Sequence, residues 1–107
     1  MAENAIELGT ALEWAKAWRN LEDKSSYVNE LKGWWAPGSD LSQVTQEGAV
    51  DSRMYIGLKG TEIKLMLVGV NADGQDMINA EEGWFIYDAT KPCPPMCDSE
   101  SPLFNVG

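Results

Sequence analysis

Residues 53–71, RMYIGLKGTEIKLMLVGVN, read as two β-strands folded back on each other around Gly60. Gly60-Thr61 puts glycine at the first central position of a two-residue type II′ turn, and Lys59 then stands opposite Glu62 as a cross-strand pair of opposite charge. In that register Leu58 faces Ile63, Ile56 faces Leu65 and Met54 faces Leu67. Side chains alternate with period two, so these six apolar residues share one side of the ribbon, which must be covered. A type I′ turn at Lys59-Gly60 would slide the pairing by two residues and keep the same six together. The opposite side carries Tyr55, Gly57, Lys64, Met66, Val68 and Val70. It is polar near the turn and apolar farther away, the pattern of a ribbon whose far half lies centrally in a sheet.

The chain around this hairpin has 107 residues, enough for one domain with a core that needs neither disulfide nor metal. Seventeen acidic residues against eight basic ones give a formal charge of −9, which repels nucleic acid and anionic lipid. Neither is expected as a partner, and the acidity itself is what solubility asks for. No apolar run approaches the roughly 18 residues of a membrane span, and the opening MAENAIELG lacks the pattern of a signal peptide. The expected setting is the cytoplasm.

Residues 1–9 read as a loose lead-in. Thr10-Ala11-Leu12-Glu13 has the form of a capping box, so a helix is expected to begin there and to fray near Lys24. Ala11, Trp14, Ala15, Ala17, Trp18 and Leu21 fall on one arc of it, with Leu12 the exception. An aromatic stripe at this spacing is core, laid on the six-residue face of the hairpin. Ser25 or Ser26 caps a second short helix to about Lys32, with Tyr27, Val28 and Leu31 as its apolar side and Gly33 as the stop. Asp40 as N-cap, Gln43 three residues on and Gly48 as stop define a third, with Leu41 and Val44 turned inward. After the hairpin, Asp73-Gly74 reverses the chain into a return beginning at Met77 and Ile78, and Trp84-Phe85-Ile86-Tyr87 reads as a further strand.

Chemistry-bearing candidates are few. Trp34-Trp35-Ala36-Pro37-Gly38 reads as a loop in which two adjacent indoles point different ways, either plugged into separate gaps or with one left exposed to bind a sugar or dock a protein. Cys93 and Cys97, in Lys91-Pro92-Cys93-Pro94-Pro95-Met96-Cys97-Asp98, allow four readings. Reduced thiols come first in a cytoplasmic setting, a local disulfide second, and a metal site third, since zinc would need further ligands from a second copy or from carboxylates. Redox catalysis comes last, because three residues separate the cysteines where the thioredoxin signal has two. Asn71, Asp73 and Asp76 invite a calcium loop, but with Gly74 at its sixth position Gly69 and Ala80 would occupy ligand positions that their side chains cannot serve. Glu81-Glu82 beside Trp84 is the only carboxylate pair in a place to act as acid and base, and adjacent glutamates on a loop are ordinarily a solvated turn. The chain has no histidine, and no phosphate-binding or dinucleotide motif.

Residues 1–107 are thus expected to form one small α+β domain: two or three short N-terminal helices packed on a roughly three-stranded antiparallel β-meander, with an irregular C-terminal strap anchored by Leu103 and Phe104. The expected function is that of a non-catalytic binding or interaction protein without cofactor or metal, engaging a protein partner or a second copy through Trp34, Trp35 and an uncovered sheet face. The alternative is a thiol-disulfide or metal site at Cys93 and Cys97.

Overall fold

The structure, a computed structural model, describes residues 4–28, 31–88 and 90–105, and for Val28 the backbone only. In chain order the elements are β1 (Ala5–Ile6), α1 (Leu8–Asn20), α2 (Ser25–Val28), β2 (Gly33–Trp35), α3 (Gly38–Gln46), β3 (Asp51–Lys59), β4 (Glu62–Val70), β5 (Asp76–Met77), a 3₁₀ turn (Ala80–Glu82), β6 (Ile86–Tyr87) and β7 (Lys91–Cys93). The class is α+β with antiparallel sheets, as the sequence predicts.

The hairpin forms in the II′ register. Lys59 pairs with Glu62, Leu58 with Ile63, Ile56 with Leu65 and Met54 with Leu67. Gly60 sits at φ +62, which glycine reaches without the steric cost a Cβ would bring. β4 is the central strand, with β3 along one edge and β5 and β6 sharing the other; β1 extends the sheet beyond β6. That position buries the whole run from Met66 to Val70 on both faces.

The helix covers the other side of the ribbon from the one expected. Ala11 and Ala15 of α1 pack on Met66, Val68 and Ile86, with Trp14, Tyr55, Ile6 and Ile78 around them. Both faces of β4 are apolar, so alternation alone could not choose between them, and Gly57 made the choice. A Cβ there would lie 2.8 Å from the Trp14 Cβ and 3.3 Å from its backbone, so the missing side chain is the seat of the helix. Lys64, on this same side, is buried with carboxylates of Glu62 and Asp88 each 3.9 Å from its Nζ. The face carrying the six apolar residues is covered only in part. Leu67 packs with Val44 of α3 and with Tyr87, and Leu58 and Ile63 are buried, but Met54 stays 51% and Ile56 38% exposed.

Several boundaries differ from expectation for local reasons. The lead-in is ordered from Asn4 on: Ala5 and Ile6 pair with Tyr87 and Ile86, a bridge too short to show in any periodicity. α1 starts at Leu8, because the Ala11 amide donates to the Glu7 carbonyl at 3.1 Å, and Thr10 falls inside its first turn instead of capping it. It ends at Asn20, and the Lys24 ammonium closes that end by donating to the Leu21 carbonyl at 2.7 Å. The capping bonds of α2 go to Asp23, not to a serine hydroxyl: its carboxylate accepts from the Ser25 amide and hydroxyl. The expected continuation of this helix through residues 29 and 30 lies outside the described residues. α3 has Pro37 at its N-cap, leaving Asp40 wholly buried in the first turn, where it accepts from the Asn4 side chain at 3.2 Å. Val44 turns inward, whereas Leu41 is 48% exposed. In the strap Leu103 is 85% exposed and anchors nothing, while Phe104 is half-buried beneath the Lys32 ammonium. Among the described residues no helix is long and apolar enough to cross a membrane.

Candidate functional site

Trp34 and Trp35 stand in a strand where a loop was expected. β2 pairs antiparallel with β7, setting Gly33 against Cys93, Trp34 against Pro92 and Trp35 against Lys91, and the Lys32 amide donates to the Cys93 carbonyl at 2.7 Å. Pro92 lacks the amide that a central strand needs. In a two-stranded ribbon it is tolerated, because its missing donor can face away from the single partner. Adjacent strand residues point to opposite faces. Trp34 is accordingly half-buried and Trp35 is 41% exposed.

The same ribbon brings the cysteines and tryptophans together. Cys93 and Cys97 are joined by a disulfide with their Cα atoms 4.8 Å apart, which corrects the first expectation of reduced thiols. The turn between them is held by the Met96 amide donating to Pro92 O and the Cys97 amide to Pro95 O, and the peptide bonds preceding Pro94 and Pro95 are both cis. The closed loop is small, so chain entropy gives it about 2 kcal/mol of stabilisation. Paired sulfurs offer no thiolate to a metal. Among the described residues no three His, Cys, Asp or Glu side chains come together as a metal-binding group.

Two of the oxygen-bearing side chains in and after the loop that follows β4 are already engaged. Asn71 Oδ1 accepts from the amides of Asp73 and Gln75, and Asp76 is occupied by Arg53 and Tyr55. Glu81 and Glu82 lie exposed in the 3₁₀ turn, whose start is capped by Asn79 and whose end is closed by Gly83 at φ +82. Glu82 rims a shallow cleft of about 360 Å³ with Gln43, Gln46, Glu47 and Trp84.

Glu47 is the carboxylate that the sequence reading overlooked. It ends α3, receives the Phe85 amide at 3.3 Å and accepts from the Tyr87 hydroxyl, so it ties the helix to β6. Burial raises its pKa, although both hydrogen bonds pull the other way. Burial together with the nearby Glu47 and Asp40 pushes the Tyr87 phenol far up as well, so it stays a donor. One signal was available: a glutamate at a helix C-terminus opposes the helix dipole and calls for a partner. The arrangement is a clamp.

What remains is open surface, apolar in part. Met54 and Ile56 lie in the middle of the longest ladder, next to each other on the face that α1 leaves free. A groove of about 660 Å³ runs at the start of β3 between Leu41, Val44, Val50 and Val70. A second, of about 420 Å³, lies between Ile6, Leu8, Ile78 and Phe85. Both are open; the first also carries Thr45, Asp51, Ser52 and Arg53 along its wall, whereas the second is almost wholly apolar.

Comparison with protein-family models, with curated proteins and with solved structures gives no match to this chain.

Proposed function

We propose that this chain is a non-catalytic interaction protein that engages another protein chain through the open sheet face at Met54 and Ile56, with Trp35 and its strand neighbour Trp34 as the aromatic contact. The observation that carries this reading is the exposure of Met54 and Ile56 inside a fully paired hairpin. Fully burying an apolar side chain of this size is worth about 1.5–3 kcal/mol, and Met54 and Ile56, 51% and 38% exposed, forgo roughly half of that, which covering by a partner recovers. An exposed indole supplies large contact area at low entropic cost. The formal charge of −9 weighs against nucleic acid and anionic membrane as the covering surface.

Affinity capture from the native host tests this. A defined protein retained in stoichiometric amount by the wild type, and lost with Ile56→Asp and with Trp35→Ala while the circular dichroism is unchanged, supports the reading. Identical captures by all three chains contradict it.

A second reading is favoured by the joined sulfurs: reduction of Cys93–Cys97 would release the end of the β2–β7 ribbon and so change how Trp34 and Trp35 are presented. For the compartment we keep the cytoplasm, where the joined pair of the structure would be the oxidised form of a reversible couple, and the same pair supplies the test. Cytosolic thiol buffers hold such cysteines reduced. Free thiols in acid-quenched protein from the host support that setting, and a quantitative disulfide contradicts it.

A further inference from the structure

β3 is the outer strand of its sheet, and among the described residues only β4 pairs with it. In a two-residue hairpin the closing pair, here Lys59 and Glu62, exchanges both of its backbone bonds. Alternation then points the amides and carbonyls of Asp51, Arg53, Tyr55 and Gly57 at β4, and those of Ser52, Met54, Ile56 and Leu58 outward. Thr90 agrees with this assignment: its hydroxyl donates to the carbonyl of Leu65, the partner of Ile56, so that pair does not exchange bonds across the hairpin. No described residue bonds to the outward groups of β3. The four residues that present them carry neither charge nor proline, the devices by which proteins usually blunt an edge.

We propose that β3 pairs edge to edge, antiparallel, with β3 of a second copy of this chain, about a two-fold axis at Tyr55, so that two sheets become one. This rests on the interaction reading above and names its partner. The strand's own sequence, Asp51-Ser52-Arg53-Met54-Tyr55-Ile56-Gly57-Leu58-Lys59, supplies the complementarity. Reversed on itself at Tyr55, it sets Asp51 against the partner's Lys59 and Met54 against the partner's Ile56, and symmetry repeats each pair. Arg53 falls opposite Gly57, so no like charges meet. The outward-bonding residues of the two strands also meet each other, Ser52 with Leu58 and Met54 with Ile56, as the ladder requires. Moving the axis to Ile56 would put Arg53 against Lys59, two cations. Moving it to Met54 would leave Lys59 beyond the partner's strand. In the Tyr55 register the four exposed side chains of Met54 and Ile56 from both copies form one continuous apolar cluster.

The test is sedimentation velocity across a wide concentration range on the wild type, Ile56→Pro, Asp51→Lys and the double variant D51K/K59E, each checked by circular dichroism. Proline at 56 removes an outward amide and leaves the β3–β4 bonds intact, so it is tolerated at an edge. The wild type is expected to pass from monomer to dimer, and Ile56→Pro to remain monomeric throughout. Asp51→Lys, which turns two attractive pairs into repulsive ones, weakens the dimer about tenfold, and the double variant recovers it. Should Ile56→Pro not fold, loss in Asp51→Lys and recovery in the double variant still carry the result. A wild type that stays monomeric at every concentration, or a dimer indifferent to the charge changes, overturns the proposal. If the wild type is monomeric and capture of another protein remains sensitive to Ile56→Asp, the second copy is ruled out and the interaction reading stands.

Discussion

β3 and β4 are nine residues each, belong to one hairpin and share one register, yet they live in different surroundings. β4 is buried from Met66 to Val70 on both sides, while β3 is exposed from Asp51 to Met54 and again at Ile56. The difference comes from position in the sheet: β4 has neighbours on both edges and α1 and α3 on its faces, whereas β3 has one neighbour and one covering helix. Membership of an apolar stripe therefore says which residues share a side. It does not say that the side is closed.

The largest effect expected from this contrast is at Leu67 against its cross-strand partner Met54. Leu67→Ala removes a wholly buried side chain from the cluster with Val44 and Tyr87 and should cost about 3–5 kcal/mol. Met54→Ala, on the same face one strand away, should cost under about 1 kcal/mol. Urea titration of both variants measures the pair, and equal losses would break the comparison.

Gly57 comes next. It is the point of β3 on which α1 rests, with no room for a side chain. Gly57→Ala drives a methyl group into Trp14 and should destabilise by about 1–3 kcal/mol, with Trp14 fluorescence reporting a shifted helix. An unchanged or raised midpoint would mean that the helix does not sit there.

The smallest effect is on pH dependence. Because burial holds the folded-state pKa of Glu47 above its ordinary value of 4.5, the folded chain binds that proton more tightly than the unfolded one. Its contribution is therefore fully present below pH 4.5 and is lost as pH rises through the folded value. Glu47→Gln should flatten this part of the stability profile, which denaturant midpoints measured from pH 4 upward would show. A profile identical to the wild type would place Glu47 in solvent.

The hairpin was legible because Gly60 dictates a turn and the turn dictates a register. The side on which the helix lies was not. Gly57 looks like a gap in a polar pattern, and only contact reveals it as a seat. The two-residue strands β1 and β6 leave no period to read, so Asn4 to Ile6 passed for a tail. Trp34, Trp35, Cys93 and Cys97 were each visible, but their meeting in one ribbon was hidden behind Pro92, which reads as a strand breaker. Glu47 was hidden for a different reason: its partners Phe85 and Tyr87 lie about forty residues away and no local pattern joins them.

Residue-resolved amide hydrogen exchange, at a dilution below that at which sedimentation shows any association, tests the open edge of β3 most directly. Alternating protection is predicted: slow exchange at Arg53, Tyr55 and Gly57, whose amides face β4, and fast exchange at Met54 and Ile56, while Leu67 and Gly69 of β4 are slow because they face β6 and β5. Met54 and Ile56 amides as slow as that of Tyr55 would contradict it.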